Sequence, residues 1–146
     1  MNEDKPKIFI IEDNNDLSEM FKIAFEQKGF EVEVSLNGMD GITKAVEFKP
    51  DLILLDIMMP QMDGYEVLGA LHNNTSMKTI VVINSNLEQE KDADKALSMG
   101  ADFYLRKSDY TPFEVVKKVK EIIEERMGNI KYTRRPQPPQ PPPVRP

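Results

Sequence analysis

At 146 residues the chain is long enough to bury one real core and too short for two comfortable ones, so one domain with an appendage is expected. It is 40% hydrophobic and 30% charged, it has no apolar run near the roughly eighteen residues of a membrane helix, and it opens on the acidic MNEDKPK, which excludes a spanning segment and argues against a secretory signal. Its lack of cysteine excludes a disulfide frame, a thiolate metal site and a Cys nucleophile, and fits a reducing cytoplasm. The net charge of −6 is uneven: residues 131–146 hold four Lys/Arg and no acid, leaving −10 on residues 1–130, a poor surface for clasping a phosphate backbone.

From residue 7 to about 127, short apolar runs alternate with amphipathic segments, the rhythm of five βα units around a parallel sheet. The first strand is expected at Lys7 to Ile11, followed by a helix whose stripe is Leu17, Met20, Phe21, Ala24 and Phe25, stopped by Gly29. The second strand, Phe30 to Ser35, alternates strictly and belongs at an edge. A helix follows at about Asp40 to Phe48. The third strand, Leu52 to Leu55, and the fourth, Thr79 to Ile83, are near-continuous Val/Ile/Leu and belong, with the first, in the middle of the sheet. Helices are expected at about Tyr65 to Asn73 and Glu88 to Met99, the latter ended by Gly100, with a fifth strand at Asp102 to Leu105. In the last helix Thr111 caps, Pro112 takes the first helical position, Glu114 closes a capping box, and Val115, Val116, Val119, Ile122 and Ile123 form the buried stripe.

The first domain is therefore placed at residues 1–130 and a tail at 131–146, where "RRPQPPQPPPVRP" holds seven of the eleven prolines. Such a segment favours polyproline II, reaching at most ~45 Å for residues 132–146 at ~3.1 Å per residue. Arg135, Pro138 and Pro141 match the R-x-x-P-x-x-P spacing read by proline-binding domains, although a spacer is the commoner role for such tails.

Ligands of an open parallel α/β sheet sit outside the carboxyl ends of the strands, so the residues just past each strand decide the chemistry. They are Glu12 and Asp13 after the first, Asp56 after the third, Ser85 after the fourth and Lys107 after the fifth. Carboxylates ~4 to 5 Å apart repel by several kcal/mol at an effective dielectric of ~20. A hard divalent cation, Mg²⁺ or Mn²⁺, removes that cost with few protein ligands. Ser85 and Lys107 are donors suited to phosphoryl oxygens, and the set describes a site that accepts a phosphoryl group on Asp56. A lone strand-end Asp is ordinarily a cap or turn residue; the company around Asp56 is what assigns it.

These residues, with Tyr104 three before Lys107 and the run "LLDIMMPQMDG", resemble a response regulator receiver domain of the chemotaxis-regulator kind, the phospho-acceptor half of two-component signalling. The resemblance implies a flavodoxin-like, doubly wound five-stranded parallel sheet in the order 2-1-3-4-5 with five helices, here with a Pro-rich C-terminal tail. It implies that Asp56 takes a phosphoryl group from a sensor histidine kinase, a phosphotransfer protein or a small acyl phosphate. Asp13 and Asp56 would ligate Mg²⁺ directly, Met58 through its backbone carbonyl and Glu12 mostly through water. Ser85 and Lys107 would each hold a phosphoryl oxygen, and Tyr104 would turn inward as the Ser85 loop closes. The surface of helix 4, strand 5 and helix 5 would then change and bind a downstream protein, in a cytoplasmic monomer or phosphorylation-dependent dimer that binds no nucleic acid directly and enters no membrane.

Several positions depart from the family pattern. Ser108 stands where a proline commonly follows the lysine, which makes a cis bond there improbable. Asn86 replaces the small residue that often follows the switch hydroxyl. Met58 and Leu87 would place two apolar side chains beside the phosphoryl group and hinder water, so slow autodephosphorylation is expected; a Met58→Asn, Leu87→Glu variant with a shorter-lived adduct is the check. A single-domain signalling switch, not an enzyme, is the leading expectation, with no output domain foreseen after the fifth βα unit. An aspartyl-phosphate phosphohydrolase would share the nucleophile, the metal, the hydroxyl and the lysine. Those enzymes carry D-x-D at the nucleophile, and here the second place is Met58. A third reading makes the fold a scaffold or adaptor acting through its proline tail. His72, the only histidine, reads as a solvated surface residue.

Overall fold

The structure, a computed structural model, describes residues 5–59, 62–74, 79–86 and 90–128. Five βα units follow one another: β1 (Lys7–Ile11), α1 (Asn15–Gln27), β2 (Glu31–Ser35), α2 (Gly38–Phe48), β3 (Leu52–Leu55), α3 (Gly64–Asn74), β4 (Ile80–Ser85), α4 (Glu90–Ser98), β5 (Phe103–Arg106) and α5 (Pro112–Gly128). The sheet is parallel throughout, in the order β2-β1-β3-β4-β5. The alternating second strand is at an edge and the apolar first, third and fourth lie inside, as expected.

Because successive strand side chains leave opposite faces, the sheet feeds two cores. On one face Phe9, Ile11, Ile53, Leu55, Val81, Ile83 and Tyr104 cluster with Val67, Leu68 and Leu71 of α3 and Ala93 and Ala96 of α4. On the other, Ile8, Ile10, Leu52, Leu54, Val82 and Leu105 meet Phe21 and Phe25 of α1 and Val115, Val116, Val119 and Ile123 of α5. The helices are thus divided between the faces and cover both, which lets the inner strands be apolar at every position.

Local signals fix the ends. Asn14 caps α1, its side chain accepting from Leu17 N at 2.9 Å, and Asn37 caps α2, accepting from Asp40 N at 2.8 Å. Thr111 and Glu114 form the expected capping box, with bonds of 2.8 and 3.1 Å. A second box, unforeseen, joins Asp63 and Glu66 at the start of α3. Gly29 and Gly100 follow α1 and α4 at φ +98 and +115, the left-handed conformation that ends a helix without a Cβ penalty.

The strand ends shift slightly from the sequence expectation. β4 runs two residues past Ile83, because Asn84 is buried with its Nδ2 donating to Leu105 O at 2.9 Å and so continues the strand. No cis peptide bond occurs among the described residues. Among them, no helix is long and apolar enough to cross a membrane. The tail at 131–146, Leu87 and Pro60 of the "LLDIMMPQMDG" run lie outside the described residues.

Candidate phospho-acceptor site

The carboxyl ends of β1 and β3 are pinned by one more backbone bond each than the strands themselves contain. Glu12 N donates to Ser35 O at 3.1 Å and Asp56 N to Ile11 O at 3.0 Å, so both acids are held at the rim by the sheet itself. At β5, Lys107 N donates to Ser85 O at 2.8 Å, which fixes the lysine in the same way. The loop after Asp56 is bound back to α3: Gly64 N donates to Ile57 O at 2.7 Å, in a contact so close that a Cβ on Gly64 would stand 2.4 Å from Ile57 Cα.

On this frame the Lys107 ammonium lies between two carboxylates, 3.0 Å from Glu12 Oε1 and 3.3 Å from Asp56 Oδ2. The other oxygens of both acids are bonded too. Glu12 Oε2 accepts from Asn14 N at 3.1 Å and Asp56 Oδ1 from Met58 N at 3.1 Å. Glu12 and Asp56 are buried and Asp13 is exposed, yet the three offer oxygens that all lie within 4.8 Å of one another. Burial raises Glu12 above the ordinary carboxylate range and the nearby Asp56 charge pushes the same way, with Lys107 and the Asn14 N–H only partly offsetting them. Burial pulls Lys107 down, but the Asp56 and Glu12 charges outweigh it and leave the ammonium more firmly protonated than usual.

Three carboxylates and one ammonium leave the pocket about two charges negative, which one divalent cation would balance. The donor set is all oxygen, with one member open to solvent, and so fits a hard cation that keeps part of its water.

The structure also places the remaining sequence candidates. Ser85 closes β4, beside β3, and its buried Oγ has no hydrogen-bond partner among the described residues. Met58 is exposed next to Asp56, while Met59 is buried and Met62 packs on the core. Tyr104, expected to turn inward, is already inside at 2% exposure, in a cluster to which α4 contributes the small, buried Ala93 and Ala96 and the partly buried Leu97. His72 is exposed, as expected.

Residues 8–120 match the family model of the response regulator receiver domain. The chain belongs to that family. Among curated relatives, the receiver is 33% identical over 117 residues to the alkaline phosphatase synthesis transcriptional regulatory protein PhoP of Bacillus subtilis, covering 80% of this chain and 48% of that one. It is 36% identical over 111 residues to the DNA-binding dual master transcriptional regulator RpaA of Synechocystis, covering 75% and 44%. The chain thus spans about half the length of these relatives. Among solved structures, the receiver domain of the Francisella response regulator 1452 superposes with a TM-score of 0.75 at 28% identity, covering 84% of this chain and 99% of that one. A CheY-like receiver domain from Methanospirillum hungatei gives 0.77 at 26%, covering 86% and 98%. The receiver is a signalling phospho-acceptor module of two-component systems, and modules of this family bind Mg²⁺ in such an acidic pocket.

Sequence reasoning missed Arg106 on this rim. A basic residue beside Lys107 reads as one more solvated charge, yet its side chain is only 15% exposed.

Proposed function

We propose that this receiver accepts a phosphoryl group on Asp56 from a histidine kinase or phosphotransfer protein and passes the signal on by changing a protein-binding surface. The observation that carries this reading is the Lys107 ammonium seated between Glu12 and Asp56. It holds the Asp56 carboxylate in place as the attacking nucleophile, and it is positioned to take over a phosphoryl oxygen as negative charge arrives. Glu12, Asp13, Asp56 and the Met58 carbonyl would hold Mg²⁺, which would supply charge neutralisation for the incoming phosphoryl oxygens. Ser85 is a buried hydroxyl without a partner among the described residues, the state expected of a group whose acceptor arrives with the phosphoryl group. Met58 brings a thioether, not a carboxylate, to the edge of the site, and a thioether cannot activate water. That supports a long-lived adduct over phosphohydrolase turnover.

For the output we infer the face of α4, β5 and α5, in a unit comprising residues 1–130. Tyr104 belongs to it and is buried beside α4, so its position would report the state of that face. A second reading makes the receiver the input half of a longer transcriptional regulator, because PhoP and RpaA are so named and this chain spans about half of each.

Incubation of the protein with Mg²⁺ and phosphoramidate or acetyl phosphate, followed by intact mass, tests the proposal. One added phosphoryl group that requires Mg²⁺ and is lost in Asp56→Asn is expected. An adduct that survives in Asp56→Asn would overturn the assignment.

A further inference from the structure

Two buried side-chain polar atoms lack a hydrogen-bond partner among the described residues, and they are neighbours: Ser85 Oγ and Arg106 Nε. Ser85 of β4 and Arg106 of β5 are register partners in a parallel pair. Partners in register send their side chains to the same face. Val81 and Ile83, which share Ser85's parity, and Tyr104, which shares Arg106's, all lie in the cluster beneath α3 and α4, so both unpaired groups stand on that face. An unsatisfied buried donor or acceptor costs about 1–3 kcal/mol, and here two such costs meet at one place. Among the described residues, the counter-charge paired with Arg106 is Asp109, whose Oδ2 is 4.0 Å from Arg106 Nε, too far for a hydrogen bond.

The two groups are complementary. A serine hydroxyl can donate one bond and accept others, and guanidinium Nε–H can only donate. We propose that Arg106 is a positioning residue for Ser85: with a phosphoryl group on Asp56, the Ser85 hydroxyl donates to a phosphoryl oxygen while its lone pair accepts from Arg106 Nε–H. No covalent bond changes; both unpaired atoms are satisfied in one rearrangement. The positive donor polarises the hydroxyl and strengthens its bond to the phosphoryl oxygen, as in other charge-assisted chains. Because Arg106 is part of β5 and faces α4, the same bond draws the end of β5 toward the site. The inference rests on the phospho-acceptor reading given above.

Beryllium fluoride, a stand-in for the phosphoryl group, provides the test, with its affinity for the full chain measured by calorimetry at saturating Mg²⁺. Arg106→Met is expected to weaken binding roughly fivefold, the size of about one net hydrogen bond, in the wild-type background, and to have no effect in a Ser85→Ala background. Asp109→Asn, which removes the competing negative charge, is expected to tighten binding, again only while Ser85 is present. Equal effects in both backgrounds, or none in either, would overturn the proposal. Should Arg106→Met fail to fold, the Asp109→Asn pair decides by the same criterion. Failure of the wild-type chain to bind beryllium fluoride would instead overturn the phospho-acceptor reading itself.

Discussion

Lys107 serves two carboxylates with one charge, and that imbalance governs the behaviour of the site. Glu12 is the member that shows it, since burial and Asp56 raise its pKa above the ordinary 4.5. A raised carboxylate pKa means that the folded state holds the proton more tightly than the unfolded state. Its contribution to stability is therefore complete below pH 4.5 and is lost as pH rises through the raised value. A cation in the pocket offsets that loss, so the stabilisation given by Mg²⁺ is expected to grow as pH rises from 4.5 through the raised value. Melting curves with Mg²⁺ and with a chelator across that range check this; a gap that does not widen with pH would refute it. The neighbouring Met58 leads to a kinetic expectation. Met58→Asn places a group able to hold water beside the phosphoryl group, and a several-fold shorter adduct lifetime in a decay assay is expected.

At the scale of elements, the loop from Asp56 to α3 is the least forgiving part of the site. Gly64 sits where a Cβ would meet the Ile57 backbone at 2.4 Å, and backbone cannot yield as a side-chain tip can. Gly64→Ala should therefore destabilise the fold by about 1–3 kcal/mol and slow adduct formation by displacing Asp56. Urea unfolding and a phosphorylation time course measure the two effects, and a variant normal in both would show that the contact relaxes freely. The sequence did not convey this, because steric closeness across a loop leaves no periodic mark. It was more open about the sheet. β1 and β3 are apolar at nearly every position, which marks both their ends and their central places. The end of β4 was obscured because Asn84 and Ser85 look like loop residues, and only the bond from Asn84 to Leu105 O explains a polar residue buried there. Glu12, Asp13, Asp56 and Lys107 were legible because strand ends are easy to locate and acids clustered at them are rare. Arg106 was not, because burial of a basic side chain depends on what packs over it.

At the scale of the whole molecule, both apolar clusters are built, among the described residues, from residues between Ile8 and Ile123, so the sheet and its five helices carry a core of their own. The proline-rich segment has almost nothing apolar to bury. A chain ending at residue 130 is accordingly expected to melt within about 1–2 °C of the full chain and to form the Asp56 adduct at the same rate. It would also carry −10 in place of −6, since the removed segment contributes four positive charges. Attraction of an anionic partner to that segment would then appear as binding that weakens on truncation and with added salt, while the chemistry at Asp56 stays intact. A lowered melting point or slower phosphorylation in the shortened chain would mean that the segment docks on the receiver, and the boundary drawn at residue 130 would have to move.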